Sequence, residues 1–404
     1  MSFPAPEAGV VAPARWQAQG WASPPAGGGK SPGGAQCQPL PGGRLHFQHG
    51  PIDIVIGADG DAQALAAAHA AAWARFQTVL AELVAELPRL RQPVVAGRPP
   101  DRPAINPLQG VIARRMWAAC APLRSQADGF ITPMAAVAGA VAQELVQHYQ
   151  RAGIHLAWIN NGGDIALHLA PGAQARVGLY ADLSRLDAQA LAGCAAGTLH
   201  PDAQFVLQAD HPVRGVATSG WRGRSQSRGI ADSVTVLAAT AAMADAAATV
   251  IANAVNVQHP GIARRPASSL RDDSDLGDIA VTVAVPALPP AVVQAALQAG
   301  LACAQRLQAS GWVQAALLVC QGHMLRLAPV QAPQDQSLLF PPVVPTATEI
   351  AALKDAAAAA TTAATSAATT VAATTAATTV AATAATTAAA PAATTAATTE
   401  ALTL

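Results

Sequence analysis

The chain has 404 residues, and its 24 basic side chains are balanced by 24 acidic ones. With no basic surplus to neutralise a phosphate backbone, nucleic acid is excluded as an expected partner. Charged residues are only 12% of the chain, and no bulky apolar run is long enough to cross a bilayer; the Ala/Thr tail has the length but too little hydrophobicity.

Five cysteines (Cys37, Cys120, Cys194, Cys303 and Cys320) lie far apart with no Cys-x-x-Cys pair. That spacing argues against a zinc knuckle or a disulfide framework and fits reduced, mostly buried thiols. The first residues lack a charged segment followed by an apolar core, as a secretory leader requires. Together these features predict a cytoplasmic protein.

Residues 1–36 are rich in Pro, Gly and Ala without apolar periodicity and are expected to be disordered. Residues 37–330 form the expected domain, near the upper size of one compact unit. Residues 331–404 are a linker and a low-complexity tail in which 356–399 is almost entirely Ala and Thr. A fraying helix and a flexible tether are both open for it, since Ala favours helix and Thr opposes it.

Residues 44–56 predict two strands around His49-Gly50-Pro51, with Leu45/Phe47 and Ile52/Ile54/Ile56 alternating. Leu65, Trp73, Phe76, Leu80, Leu83 and Leu87 recur at helical spacing, and Pro88 is expected to end that helix. A Pro- and Arg-rich loop follows over 93–107. Thr132-Pro133 reads as a hydroxyl cap followed by proline at the first helical position. The helix they open carries Met134, Val137, Val141 and Leu145 on one face. Its other positions are Ala and Gly, thin enough for another backbone to pack close. Strands are predicted at 155–160, 165–169, 176–180, 204–208, 213–218 and 232–238, then a helix at 240–252. A strand at 279–284, a helix at 291–309 and a hairpin of 313–320 with 323–328 complete the pattern. This is an α+β (or mixed α/β) chain with mixed β-sheets and flanking helices.

Three segments carry chemistry. In the first, Trp158-Ile159-Asn160-Asn161-Gly162-Gly163-Asp164-Ile165, two amides, two glycines and a carboxylate stand between strands. Bare backbone N–H groups and side-chain acceptors suit a phosphate or ribose, although Asn-Gly between apolar runs is also a hairpin signal. In the second, a strand ends in Thr218-Ser219-Gly220 and enters a loop with Arg222, Arg224 and Arg228. Hydroxyls, free N–H groups and guanidinium forks suit a diphosphate; the alternative is an exposed turn with solvated arginines. In the third, Asp245 and Thr249 lie one helical turn apart among small residues. They can present two oxygens to a hard cation such as Mg²⁺; alternatively Asp245 meets a helix dipole and Thr249 bonds back to a carbonyl. His155, His168 and His211 are the candidate general bases, and none is spaced as part of a His/Asp pair.

Taken in order, the small-residue helix, Asn-Asn-Gly-Gly-Asp, Ala-Thr-Ser-Gly, Asp-Ser-Val-Thr-Val and Ala-Asp-Ala-Ala-Ala-Thr resemble the ApbE superfamily of flavin transferases. The closest likeness is to its shorter branch, whose members often carry the name thiamine biosynthesis protein ApbE-like. The resemblance covers about residues 44–327 and is strongest over 131–256. It implies binding of FAD and Mg²⁺, and transfer of FMN to a Ser or Thr hydroxyl of a target protein with release of AMP. It assigns the metal to Asp245 and Thr249, helped by main-chain carbonyls of Ala248 and near Ala140. The FAD pocket falls to Gly162, Gly163, Asp164, Thr218, Ser219 and Gly220, with Asn160, Asn161 and Arg224 beside them. The chain also departs from the family's pattern. Gln143 stands where the transferases carry a lysine, no histidine follows Thr-Ser-Gly, and the usual Asp-Pro-x-x-Gly turn is reduced to Ala231-Asp232-Ser233. Two roles follow for the pocket: an enzyme attacking the FAD pyrophosphate, or a non-catalytic flavin or nucleotide carrier or regulator. In a third reading the glycine loop is only a hairpin and the tail tethers a partner.

Overall fold

The structure is a computed structural model that describes residues 34–95, 105–179, 203–223 and 225–329. The expected disordered N-terminus up to residue 33, the Ala/Thr tail, Cys194 and Arg224 lie outside the described residues.

The chain opens with β1 (Gln36–Leu40), β2 (Arg44–His49) and β3 (Ile52–Gly60), followed by α1 (Ala62–Leu90), α2 (Val111–Cys120) and α3 (Val137–Val146). Next come β4 (Ile154–Asn161), β5 (Asp164–Leu169), β6 (Gln174–Leu179), β7 (Ala203–Gln208), β8 (Gly215–Ser219) and β9 (Ser233–Ala238). The last part holds α4 (Ala241–Ala254), β10 (Ala263–Pro266), β11 (Ala280–Ala284), α5 (Pro290–Ala309), β12 (Ala315–Cys320) and β13 (His323–Leu327). Nine strands form one sheet in the order β1-β2-β3-β4-β5-β8-β9-β12-β13; β6/β7 and β10/β11 form separate pairs. The α+β class is therefore the one expected. Within it every described pairing is antiparallel rather than mixed, because sheet neighbours are joined by hairpins or by connections that return the chain in the opposite sense.

Side-chain alternation builds two cores. On β9 and β12, Val234, Val236, Ala316 and Leu318 face the helices. Leu237, Ala315, Leu317 and Val319 face the other way, with Ile165, Leu167 and Leu169 of β5. That second face is covered by the β6/β7 pair through Val177, Phe205 and Leu207. A strand buried on both faces reads as a continuous apolar run, as these do. No helix among the described residues is long and apolar enough to cross a membrane.

Two helices differ from expectation. Helix α1 does not stop at Pro88 but runs through it to Leu90. The bond that proline cannot make falls on the carbonyl of Val84, a residue 54% exposed, where water can serve it. Leu90 is meanwhile fully buried, and packing of that side chain holds the last turn. Helix α2 was not expected, and its start has no local cap. The N–H groups at and just before its start bond instead to α1: Glu86 accepts from Gln109 and Gly110 (2.9 and 2.6 Å), and Glu82 accepts from Ile112 (3.3 Å).

His69 of α1 is 3% exposed, and its Nδ1 lies 2.7 Å from the Tyr149 hydroxyl. Burial pushes the imidazole down to about 4. The unfolded chain therefore takes up this proton first, and stability present above about pH 6.5 is lost as pH falls toward 4. The shift corresponds to roughly 3 kcal/mol. Urea midpoints of the native chain and His69→Gln, compared at pH 7 and pH 4.5, should show most of that acid loss disappear in the variant. An unchanged pH dependence would place the loss elsewhere.

Candidate functional site

The site grows from the crossing of α3 and α4. A Cβ on Gly139 would stand 2.3 Å from the Ala241 carbonyl oxygen and 2.9 Å from the Asp245 Cβ. Only glycine permits this approach, which is the close packing that the thin face of α3 predicted. The N–H groups of Ala138 and Gly139, in the first turn of α3, both donate to Asp245, the Gly139 bond to Oδ2 at 2.9 Å. Asp245 thus caps a neighbouring helix, where a negative charge meets the positive end of the dipole. Thr132, the expected cap, makes no capping bond. Its hydroxyl donates to Asp275 instead. Residues Pro133–Ala136 form a 3₁₀ turn before α3 proper.

The turn between β4 and β5 reaches the same place. Asn161 pairs with Asp164 across a two-residue turn, and Gly162 and Gly163 adopt positive φ of 66° and 112°. Asn160 Oδ1 accepts from the Gly163 N–H at 2.9 Å and fixes the turn. Asn161 Nδ2 donates to the Ala138 carbonyl at 3.1 Å, so one amide ties the turn to the start of α3. Asp164 is 8% exposed, and its Oδ1 accepts from the Thr218 N–H at 3.2 Å. The Thr218 hydroxyl meets that of Thr235 at 2.8 Å. Ser219 ends β8 opposite Val234, and Gly220 lies against the Asp232 backbone, where a Cβ would sit 2.3 Å from that carbonyl oxygen.

Charge is concentrated here. Burial, together with the neighbouring charge of Asp245, lifts the Asp164 carboxyl well above the usual range. Burial pushes Asp245 up to about 7 against the pull of the two α3 N–H groups. No Lys, Arg or His among the described residues forms an ion pair with either carboxylate. The Thr249 side chain, one turn along α4, is partly exposed. Two neighbouring carboxylates without a described counter-charge fit a divalent cation better than a solvated surface pair.

The structure therefore brings together Asn160, Asn161, Gly162, Gly163, Asp164, Thr218 and Asp245, with Ser219 and Gly220 following Thr218 along the chain. Other candidates are engaged elsewhere. The Ala140 carbonyl accepts from Arg115 Nη1 at 3.1 Å, and Ala248 is buried inside α4. Of the three loop arginines, Arg222 stacks on Trp221 with its guanidinium carbon 5.1 Å from the ring centroid and lies 3.6 Å from Asp232. Arg228 pairs with Asp128 at 3.3 Å. Gln143 Oε1 accepts from the Ala242 N–H at the start of α4. His155 is exposed, His168 meets the Ile154 carbonyl, and His211 accepts from the Val213 N–H within its own turn. Arg115 and Thr235 were missed by sequence reasoning. Arg115 sits on the unexpected helix beside a second arginine, and Thr235 is one of several hydroxyls in a β-rich run, so neither carries a local signal.

This is an α+β protein with an oxygen-rich, acidic cluster where a small-residue helix crossing meets a glycine turn. The chain belongs to the family described as AbpE bacteria, whose model matches residues 37–326. Among curated relatives, a UPF0280 protein of Methanothermobacter thermautotrophicus is 42% identical over 134 residues, 33% of this chain and 46% of that protein. One from Methanosphaerula palustris is 39% identical over 133 residues, 33% of this chain and 48% of its own length. The chain thus spans about half the length of these relatives. The solved Pseudomonas stutzeri flavinyl transferase ApbE, in its apo form, is similar with 14% identity and a TM-score of 0.37, covering 73% of this chain and 94% of that one.

Proposed function

We propose that this cluster is a Mg²⁺-dependent FAD site, and that the protein attacks the FAD pyrophosphate to move FMN onto a Ser or Thr hydroxyl of a protein partner. The observation that carries this reading is Asp245, a half-buried carboxylate seated on the Ala138 and Gly139 N–H groups beside the buried carboxylate of Asp164, with no cationic partner among the described residues. The chemistry of the donors fits: carboxylate and hydroxyl oxygens are what Mg²⁺ takes. Asp245 would hold the ion, with Thr249 as the neighbouring donor. When bound, the ion would neutralise charge on the pyrophosphate. The Gly162-Gly163 turn would let the nucleotide approach the backbone, because Gly162 faces open space. Thr218, Ser219 and Gly220 would border the same pocket. The four described cysteines are free, which supports the cytoplasmic location proposed here.

The test is FAD binding to the full chain, followed by flavin fluorescence, with Mg²⁺ and with chelator, together with an assay for AMP. The expected result is tighter binding with Mg²⁺, loss of that difference in Asp245→Ala, and AMP released when an acceptor protein is present. Equal binding with and without the ion would overturn the reading.

A second reading, a flavin carrier or regulator without chemistry, is favoured by one observation. Gln143 is tied to the start of α4, and His155, His168 and His211 are engaged elsewhere or exposed, so among the described residues none of these histidines bonds to Asp245. Mg²⁺-dependent FAD binding with no AMP would select it.

A further inference from the structure

We infer that Asp164 is itself a ligand of the cation, so that the site holds its metal between two carboxylates, one on the β4/β5 turn and one on α4. This rests on the Mg²⁺ reading above and changes the ligand set within it. Asp164 otherwise counts as a residue bordering the flavin, and the Ala140 carbonyl as a metal donor.

Three separate observations lead here. First, the Ala140 carbonyl already receives Arg115 Nη1 at 3.1 Å. A guanidinium at that oxygen repels a second cation, so the expected main-chain donor is compromised. Second, Asp164 is buried to 8% exposure, yet only its Oδ1 has a partner, the Thr218 N–H. Its other oxygen has no described partner and keeps access to solvent, which leaves it open to a ligand. Third, the backbone links the two carboxylates through one residue. Ala138 donates its N–H to Asp245 and accepts through its carbonyl from Asn161, the residue paired with Asp164 across the turn. Asp245 and the turn that carries Asp164 thus both bond to Ala138, and the charge of Asp245 reaches Asp164.

Two carboxylates on one divalent ion give a locally neutral site, whereas Asp245 and Thr249 alone leave a net positive one. The arrangement also couples metal to nucleotide, because the turn that carries Asp164 also carries Gly162 and Gly163. Metal binding should therefore order the turn over which the flavin lies.

The test uses the full chain and Mg²⁺ alone, by titration calorimetry, with Mn²⁺ electron paramagnetic resonance as a second readout. Asp164→Asn keeps an oxygen to accept the Thr218 N–H but removes the charge, and it relieves repulsion in the metal-free protein, so the variant should fold. The expected result is at least a tenfold loss of Mg²⁺ affinity and a changed Mn²⁺ spectrum. Asp164→Ser should show the same loss should the amide distort the turn. Native affinity in both variants, with Asp245→Ala binding no ion, would overturn the inference and leave the Mg²⁺ reading standing. A native chain that binds neither ion would overturn both.

Discussion

Replacing Glu144 by alanine should destabilise the protein by about 3–5 kcal/mol, the largest loss expected from any single charge. Glu144 lies on α3 at 8% exposure, with Arg75 Nε at 2.8 Å from α1 and Arg115 Nη2 at 2.9 Å from α2. Burial alone would raise its pKa, but the two guanidiniums hold it below the usual carboxylate range. Arg75 also reaches Glu82 at 2.6 Å, and Glu82 with Glu86 caps α2. One carboxylate therefore joins three helices. Without it, two half-buried guanidiniums face each other with only Glu82 to offset them, and the cost is an uncompensated charge rather than one lost bond. The contrast is Asp273, which pairs with Arg91 at 2.6 Å but has a side chain 70% exposed. Asp273→Ala should cost no more than about 1 kcal/mol. Urea unfolding of the two variants makes the comparison. A Glu144→Ala loss under about 1 kcal/mol would mean that water already screens the network.

That network also explains what sequence reading could reach. Every strand with clean alternation or a doubly buried apolar run was legible, because period two is written locally: Leu45/Phe47, Ile52/Ile54/Ile56 and the Val-rich 233–238 segment each announce themselves. Helix α2 was not, since its capping groups are Glu82 and Glu86, more than twenty residues upstream on another helix. Thr132-Pro133 looked like a helix start and is one only in part, because the hydroxyl prefers Asp275. In the candidate site, the glycine turn is the two-residue hairpin that Asn-Gly signals, with the side chains of Asn160, Asn161 and Asp164 beside it. The partners of those acceptors, Ala138 for Asn161 and Thr218 for Asp164, lie 23 and 54 positions away. Residue type and spacing offered Asp245 either a hard cation or a helix dipole. They did not show that Asp245 takes backbone N–H groups of α3, nor that Arg115 occupies the Ala140 carbonyl.

Gly139→Ala should damage both fold and site, by roughly 2–3 kcal/mol of stability and at least tenfold in Mg²⁺ affinity. Helix propensity argues the opposite sign, since alanine in a helix interior gains up to about 1 kcal/mol over glycine. Geometry decides against it. The new methyl would meet the Ala241 carbonyl carbon and oxygen at 2.7 and 2.3 Å and the Asp245 Cβ at 2.9 Å. The first two are backbone atoms of α4 that no rotamer change can move, so the helices must separate. Separation withdraws the Gly139 N–H from Asp245. The carboxylate proposed to hold the ion would then lose its orientation as well as its capping bond. Gly162→Ala is the matching control. Its φ of 66° is the left-handed region, yet a Cβ there meets nothing within 4 Å, so the cost should be backbone strain alone, about 1–2 kcal/mol. Urea midpoints and Mg²⁺ titrations of both variants separate the two effects. Should Gly139→Ala keep native metal affinity while losing stability, Asp245 would serve α3 as a helix cap through a bond that is no part of the ion's cradle.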